Sequence, residues 1–239
     1  MTSSARLDVP GTANFRPLGG HATPSGRLRD DVLFRADSLA DLGEQGRVAL
    51  QALGVRTVVD LREDVERVQH PDDVEGLEVV VVPVPVFGPL GHVELRDLGA
   101  LYVHALDECG DRLGEAVRAF CRPGALPAVV HCAAGKDRTG LVAALLLSAL
   151  GVDDDAVTAD YTLTVALLST ADLARLADRA REAGMSEQVL AVALDAPAEA
   201  MARVLAHVRV THGSARAYLL AHEVVAAELD VLQETLLAR

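Results

Sequence analysis

In LPAVVHCAAGKDRTGLVAALLLSALG, Leu126 to Gly151, a short apolar run leads into the charged segment His131–Gly140, and a longer apolar run follows. The first run has the length and β-branched content of a buried strand, and the second has the length of a buried helix. Such a pair is normally joined by a few turn residues, so the density of charge between them needs a chemical cause. A strand-to-helix junction is where an open α/β sheet meets its ligands. Unpaired N–H groups and the positive end of the helix dipole there favour an anion. Cys132 gains from the same field, because a thiolate is itself an anion and a helix N-terminus favours it. Arg138, six residues on, returns to the same concavity as the loop curls, with a planar fork suited to two phosphoryl oxygens. Gly135 supplies backbone freedom, and Gly140 lets the first helical turn pack closely.

Outward from this loop, strand and helix alternate. A short strand is expected at VLFRA, a helix over LGEQGRVALQALG that stops at Gly54, and strands at VRTVVDL and LEVVVVPVPV. The segment DRLGEAVRAFCRPG has helical spacing and leads into the strand before Cys132. These elements predict one α/β domain, residues 1–239, with a mainly parallel sheet flanked by helices. Beyond Gly151 the pattern is helical to the C-terminus, and residues 152–212 are expected as a helical insertion that could cover the site. The aspartates at 153 to 155 are expected to cap a helix.

Composition narrows the function. The chain has 239 residues, 50% hydrophobic and 3% aromatic, with a net charge of −13. No apolar run reaches the roughly 18 residues of a membrane span, so no integral membrane segment is expected. Nucleic-acid binding, which rests on clustered Lys and Arg, is not expected either. Three cysteines without metal-ligand spacing, together with an N-terminus lacking an apolar signal segment, point to the cytoplasm, with signal-less export left open. Two rival phosphate loops fail. The Walker pattern needs a glycine where Val130 stands and Ser or Thr where Asp137 stands, and LGGHATPSG lacks the dinucleotide spacing.

The segment HCAAGKDRTG resembles the Cys-x5-Arg-Thr loop of cysteine-dependent phosphatases, in the form found in the atypical bacterial protein-tyrosine and lipid phosphatases. NFRPLGG, LFRADSLADL, LGVRTVVDLR, ADY and HGSARAYL resemble that family's other markers in its order, so the likeness covers most of the chain. Pro17 stands where the family more often has aspartate. The resemblance implies a hydrolase of phosphotyrosine proteins and phosphoinositides, without metal or other cofactor, working through a phosphocysteine. Cys132 would be the nucleophile and Arg138 the clamp. Ala133, Ala134, Gly135 and Lys136 would bind the phosphoryl group through the loop, and Thr139 would hydrogen-bond the sulfur. His131, Gly140, Asn14 and Arg16 would support the loop.

Two carboxylates compete as the acid for the leaving oxygen. Asp137 lies in the loop, and Asp60 would reach the same sheet edge if its strand neighbours the catalytic one. Asp137 is favoured, with a salt bridge to Arg62 or Arg35 as the alternative role for Asp60. Two further readings use the same loop: an idle phospho-ligand binding module, and a sulfur-transfer or arsenate-reducing enzyme. Retention of nucleophile, clamp and acid argues against the first. The second lacks an obvious resolving cysteine near Cys132.

Overall fold

A computed structural model of the chain describes residues 6–88, 97–182, 187, 190 and 194–238. Its main sheet has five strands: β1 (Arg16–Pro17), β4 (Leu33–Ala36), β5 (Thr57–Asp60), β6 (Val80–Pro83) and β7 (Ala128–His131). They lie in the order β1-β4-β7-β5-β6. All neighbours are parallel except the β1–β4 pair. β7 is central, and its residues are buried throughout, as expected of a strand covered on both faces. Pro17 lies in the edge strand β1, where a residue without an N–H costs no ladder bond. β2 (Ala22–Thr23) and β3 (Gly26–Arg27) form a separate hairpin.

Around the sheet are α1 (Gly43–Ala52), α2 (Asp64–Gln69), α3 (Leu98–Glu108), α4 (Gly110–Cys121) and α5 (Asp137–Ala149). α6 (Asp154–Leu167), α7 (Thr170–Glu182), α8 (Ala198–His212), α9 (Ala215–Ala221) and α10 (Ala226–Leu236) follow. The C-terminal part is therefore helical, as its periodicity predicts. Gly54 ends α1 with φ +67°, the left-handed stop that glycine adopts without a Cβ clash. The Asp153 side chain accepts from Ala156 N at the start of α6. Among the described residues no helix is long and apolar enough to cross a membrane.

α5 is buried along most of its length, Thr139 to Leu147. Its packing against β7, α4, α6 and α9 explains why LVAALLLSALG is apolar on all sides. A buried helix on a central strand fixes the junction between them, and that junction is the loop 132–136. Helices α2 and α3 have no counterpart in the periodicity reading. α2 is only six residues long, and α3 begins just past a stretch outside the described residues.

Candidate active site

The loop leaves β7 at His131 and enters α5 at Asp137, with Lys136 as its N-cap residue. Three consecutive loop carbonyls are tied from outside. Ser38 N donates to Ala133 O at 3.1 Å. Asn14 Nδ2 donates to Ala134 O at 3.2 Å and to Gly135 O at 3.3 Å. Arg35 donates to Gly135 O at 2.6 Å. Across a trans peptide the following N–H points the other way, so the N–H groups of Ala134, Gly135 and Lys136 lie opposite those anchors. Gly135 is needed for this curl: its φ is +65°, and a Cβ would stand 2.3 Å from Ala36 O.

The anchors are themselves held. Arg16 donates through Nε to Asp160 Oδ1 at 3.3 Å, to Asp160 O at 2.8 Å and to Thr164 at 3.0 Å. It also donates to Asn14 Oδ1, and Arg35 donates to Asp160 Oδ2. The buried Asp37 carboxylate accepts from Ala13 N and Asn14 N. Two fully buried guanidinium groups thus share the Asp160 carboxylate. Burial opposes its ionisation, but Arg35 and Arg16 prevail and hold its pKa below the ordinary value. Asn14, expected from the sequence reading as a support, contacts the loop directly, and Arg16 reaches it through Asn14. Arg35 completes the set with Asp160, which that reading met only inside the ADY marker.

Cys132 is 2% exposed and faces a cavity of about 470 Å³ shared with Ala133, Ala134, Asp137 and Arg138. Ser38, Arg62 and Glu66 also line it, and α7 closes the far wall with Leu176, Arg179 and Ala180. A second cavity of about 530 Å³ opens at the opposite sheet edge, beside Arg56, Val80 and Arg122, and no cysteine or histidine lines it. Burial pushes the Cys109 and Cys121 thiols up to about 11, which leaves them protonated and inert near neutral pH.

Arg138 is gripped by Glu66 of α2. One guanidinium nitrogen donates to Oε1 at 2.9 Å and the other to Oε2. Burial disfavours the charge, but the hydrogen bond to Glu66 and the neighbouring Cys132 outweigh it and raise the Arg138 pKa. Glu66 also accepts from Glu63 N at 2.9 Å, closing the first turn of α2. Its only sequence trace is its place three residues after Glu63, the spacing of a capping pair.

Asp60 lies opposite His131 in the β5–β7 register, so the condition for it to share the loop's sheet edge is met. Both its oxygens are occupied by Arg62: Oδ1 accepts from Arg62 N at 3.0 Å and Nε at 2.9 Å, and Oδ2 from NH2 at 2.8 Å. Of the two proposed salt-bridge partners, Arg62 is the one found. Arg62 also reaches Asp72 Oδ1 at 2.7 Å. The carboxylates of Asp60 and Asp72 with His131 could in principle hold a metal ion, but the Arg62 guanidinium already supplies their counter-charge. His131 Nε2 faces Asp72 Oδ2 at 3.0 Å, and Nδ1 faces Cys132 O at 3.3 Å. It therefore touches the first loop residue.

Asp137 lines the cavity from the first turn of α5. Its Oδ1 accepts from Tyr102 OH and lies 3.3 Å from Lys136 Nζ. Lys136 also donates to Asp195 O. Tyr102 and Tyr161 hydroxyls are 2.8 Å apart, and neither tyrosine carries a role in the sequence reading. Thr139 differs from expectation. Its hydroxyl is buried and has no hydrogen-bond partner among the described residues, so the bond to sulfur is not made in this structure. Gly140 packs as predicted, since a Cβ there would meet the Tyr161 ring at 3.0 Å.

Comparison with known proteins adds to this geometry. The chain is 32% identical over 188 residues to the triple specificity protein phosphatase PtpB of Mycobacterium tuberculosis, covering 64% of this chain and 67% of that protein. It is 28% identical over 142 residues to a tyrosine-protein phosphatase of Nostoc commune, covering 56% of this chain and 48% of that one. The crystal structure of P. aeruginosa TpbA overlays with a TM-score of 0.35 at 23% identity, covering 79% of this chain and 99% of TpbA. That overlay is too loose to bear on the site. The model of the tyrosine phosphatase family matches residues 7–238, and the chain belongs to that family.

Proposed function

We propose that the chain is a metal-independent phosphomonoester hydrolase that works through a phosphocysteine and acts on phosphotyrosine proteins and phosphoinositides. The observation that carries this reading is the loop itself. Its carbonyls are tied outward to Ser38, Asn14 and Arg35, while Cys132 and a Glu66-held Arg138 share one cavity. The Cys132 thiolate attacks phosphorus, forming the S–P bond as the bond to the leaving oxygen breaks. Arg138 and the loop N–H groups hold the equatorial oxygens, where the charge is spread. Asp137 gives its proton to the leaving oxygen, then takes one from the water that cleaves the S–P bond and restores the thiolate.

Asp137 is preferred to Asp60 because Arg62 occupies both Asp60 oxygens. Asp137 Oδ2 has no hydrogen bond among the described residues and is available to carry the proton. The PtpB relative is named for triple specificity, which supports more than one class of phosphate ester. Lys136, in the loop itself, adds a positive charge beside the phosphate site, which supports substrates with additional anionic groups. Within residues 152–212, the helix α7 serves as a cover, a role supported by its side chains on the cavity wall.

The test is Cys132→Ser with rapid acid quench of the native enzyme on a radiolabelled aryl phosphate. The native chain should yield an acid-stable phosphoenzyme and be indifferent to EDTA. The variant should yield none, while still binding vanadate or another phosphate mimic. Turnover by Cys132→Ser above about a tenth of native would remove the nucleophile assignment. Binding without turnover in the native chain would make it a phospho-ligand module.

A further inference from the structure

We infer that Tyr102 and Tyr161 are positioning residues for the acid: they form a directed hydrogen-bond chain that fixes Asp137 Oδ1 and leaves Oδ2 to carry the transferable proton. The inference rests on Asp137 as the acid and adds the device that orients it.

The direction of the chain follows from proton counting. Tyr102 has one hydroxyl proton, and with the transferable proton on Oδ2 the Oδ1 atom can only accept, so the tyrosine proton lies on the bond to Asp137 Oδ1. Tyr102 oxygen must then be the acceptor in its contact with Tyr161, 2.8 Å away. The sequence is Tyr161 to Tyr102 to Asp137, each bond polarising the next. Burial, followed by the nearby Asp137 carboxylate, raises the Tyr102 pKa well above its ordinary value, and burial with the same carboxylate pushes Tyr161 the same way. Both phenols therefore stay protonated across the working range and act as fixed donors, not as a proton source.

The tyrosine rings meet edge to face, with centroids 6.0 Å apart and planes at 89°, so packing sets their hydroxyl positions before any substrate arrives. Tyr161 belongs to α6 and packs on Gly140, one turn along α5 from Asp137. The carboxyl is thus oriented by two helices besides its own. On Oδ1 the second neighbour is Lys136, also held by Asp195 O. Other charges around the chain are Arg35 and Asp195 near Tyr161, and Arg138, Glu66 and Cys132 across the cavity. Where α8 packs on α3, Arg203 pairs with Asp97 and His207 with Asp107. The Arg203–Asp97 pair is exposed, and His207 is half-buried.

A donor on Oδ1 favours the carboxylate over the carboxylic acid. Its removal should therefore move the high-pH limb of kcat, where the acid form is lost, upward. It should also free the carboxyl to rotate, slowing substrates that need the proton more than those that do not. The experiment compares kcat–pH profiles of native enzyme, Tyr102→Phe, Tyr161→Phe and the double variant on phenyl phosphate and 2,4-dinitrophenyl phosphate, with Asp137→Asn alongside. Phenylalanine keeps the ring packing, and the double variant leaves no stranded hydroxyl if either single variant folds poorly.

Tyr102→Phe should move the limb upward and lower the phenyl phosphate rate about tenfold, a part of the ~10²–10⁴ that general acid catalysis supplies. The fall on the dinitrophenyl ester should be much smaller, and Tyr161→Phe should give a weaker effect of the same sign. A uniform fall on both esters with an unmoved limb would make the tyrosines purely structural and overturn the inference alone, provided Asp137→Asn shows the leaving-group dependence. If Asp137→Asn shows no such dependence, the acid assignment falls, and the tyrosine role with it.

Discussion

Asp160→Asn tests the buried scaffold under the phosphate loop. In the native chain one carboxylate, 2% exposed, compensates two guanidinium groups that are fully buried. Asparagine preserves the shape but not the charge. One of its two terminal atoms still accepts, while the other becomes an amide NH₂ facing a guanidinium, donor against donor. Removing one partner of a buried ionic group costs about 3–5 kcal/mol, and a unit-charge contact near 4 Å is worth about 4 kcal/mol at an effective dielectric constant near 20. The two routes agree in scale. Arg16 has little reserve, since burial and the charge of Arg35 already lower its pKa to about 10.

Urea unfolding should therefore show a loss of about 3–5 kcal/mol, which at a slope near 3 kcal/mol/M lowers the midpoint by roughly 1–1.7 M. The pH dependence supplies a second reading. The folded-state pKa of Asp160 is depressed, so its stabilisation is fully present above the unfolded value of about 3.9 and is lost as pH falls through the folded value. The gap between native and variant should be constant near neutrality and narrow in acid. A loss under about 1 kcal/mol at pH 7, or a gap that does not close in acid, would refute the account of Asp160 as the shared counter-ion.

Two further outcomes follow from the loop and the clamp. Gly135→Ala should lose at least about 10²-fold in kcat/KM, because a Cβ 2.3 Å from Ala36 O forces the loop off its anchors and misplacement near 1 Å costs that much; steady-state kinetics on an aryl phosphate would check it. Glu66→Gln should weaken phosphate-mimic binding on the order of tenfold by loosening Arg138. Glu66 is itself held below its usual pKa, because Arg138 outweighs burial, so in the folded chain it stays ionised below the ordinary value of about 4.3 and its hold on Arg138 fades only as pH falls through the depressed folded value; vanadate inhibition against pH reads both.

The elements that could be read from sequence are those whose pattern is set locally. β7, α5 and the loop between them are legible because an apolar strand, a charged turn and a long apolar helix have no other consistent arrangement. Cys132, Arg138 and Asp137 sit within that span and carry their chemistry in their residue types. Glu66, Tyr102 and Asp160 do not. Each reaches the loop only through tertiary packing, across 72, 35 and 125 residues for the contacts with Arg138, Asp137 and Arg35, and each lies in a helix whose own pattern is ordinary. Tyr102 looks like any core aromatic in LGALYVHALDE until the neighbouring carboxylate is known. Asp60 falls between. Its place beside β7 could be stated only as a condition, and of the two arginines offered as partners only the fold selects Arg62, which takes both its oxygens.

The tyrosine chain also bears on how the protein can be watched. The sequence has no tryptophan and three tyrosines, and all three rings are buried. Two of them are the pair at Asp137, and the third, Tyr218, donates to Leu106 O on the same helix that carries Tyr102. Near-ultraviolet absorption and emission therefore come largely from three tyrosines around α3, two of them one or two hydrogen bonds from Asp137. A change in tyrosine emission on titration with a phosphate mimic is therefore the expected outcome, and an unchanged signal would show that loop occupation does not reach the pair.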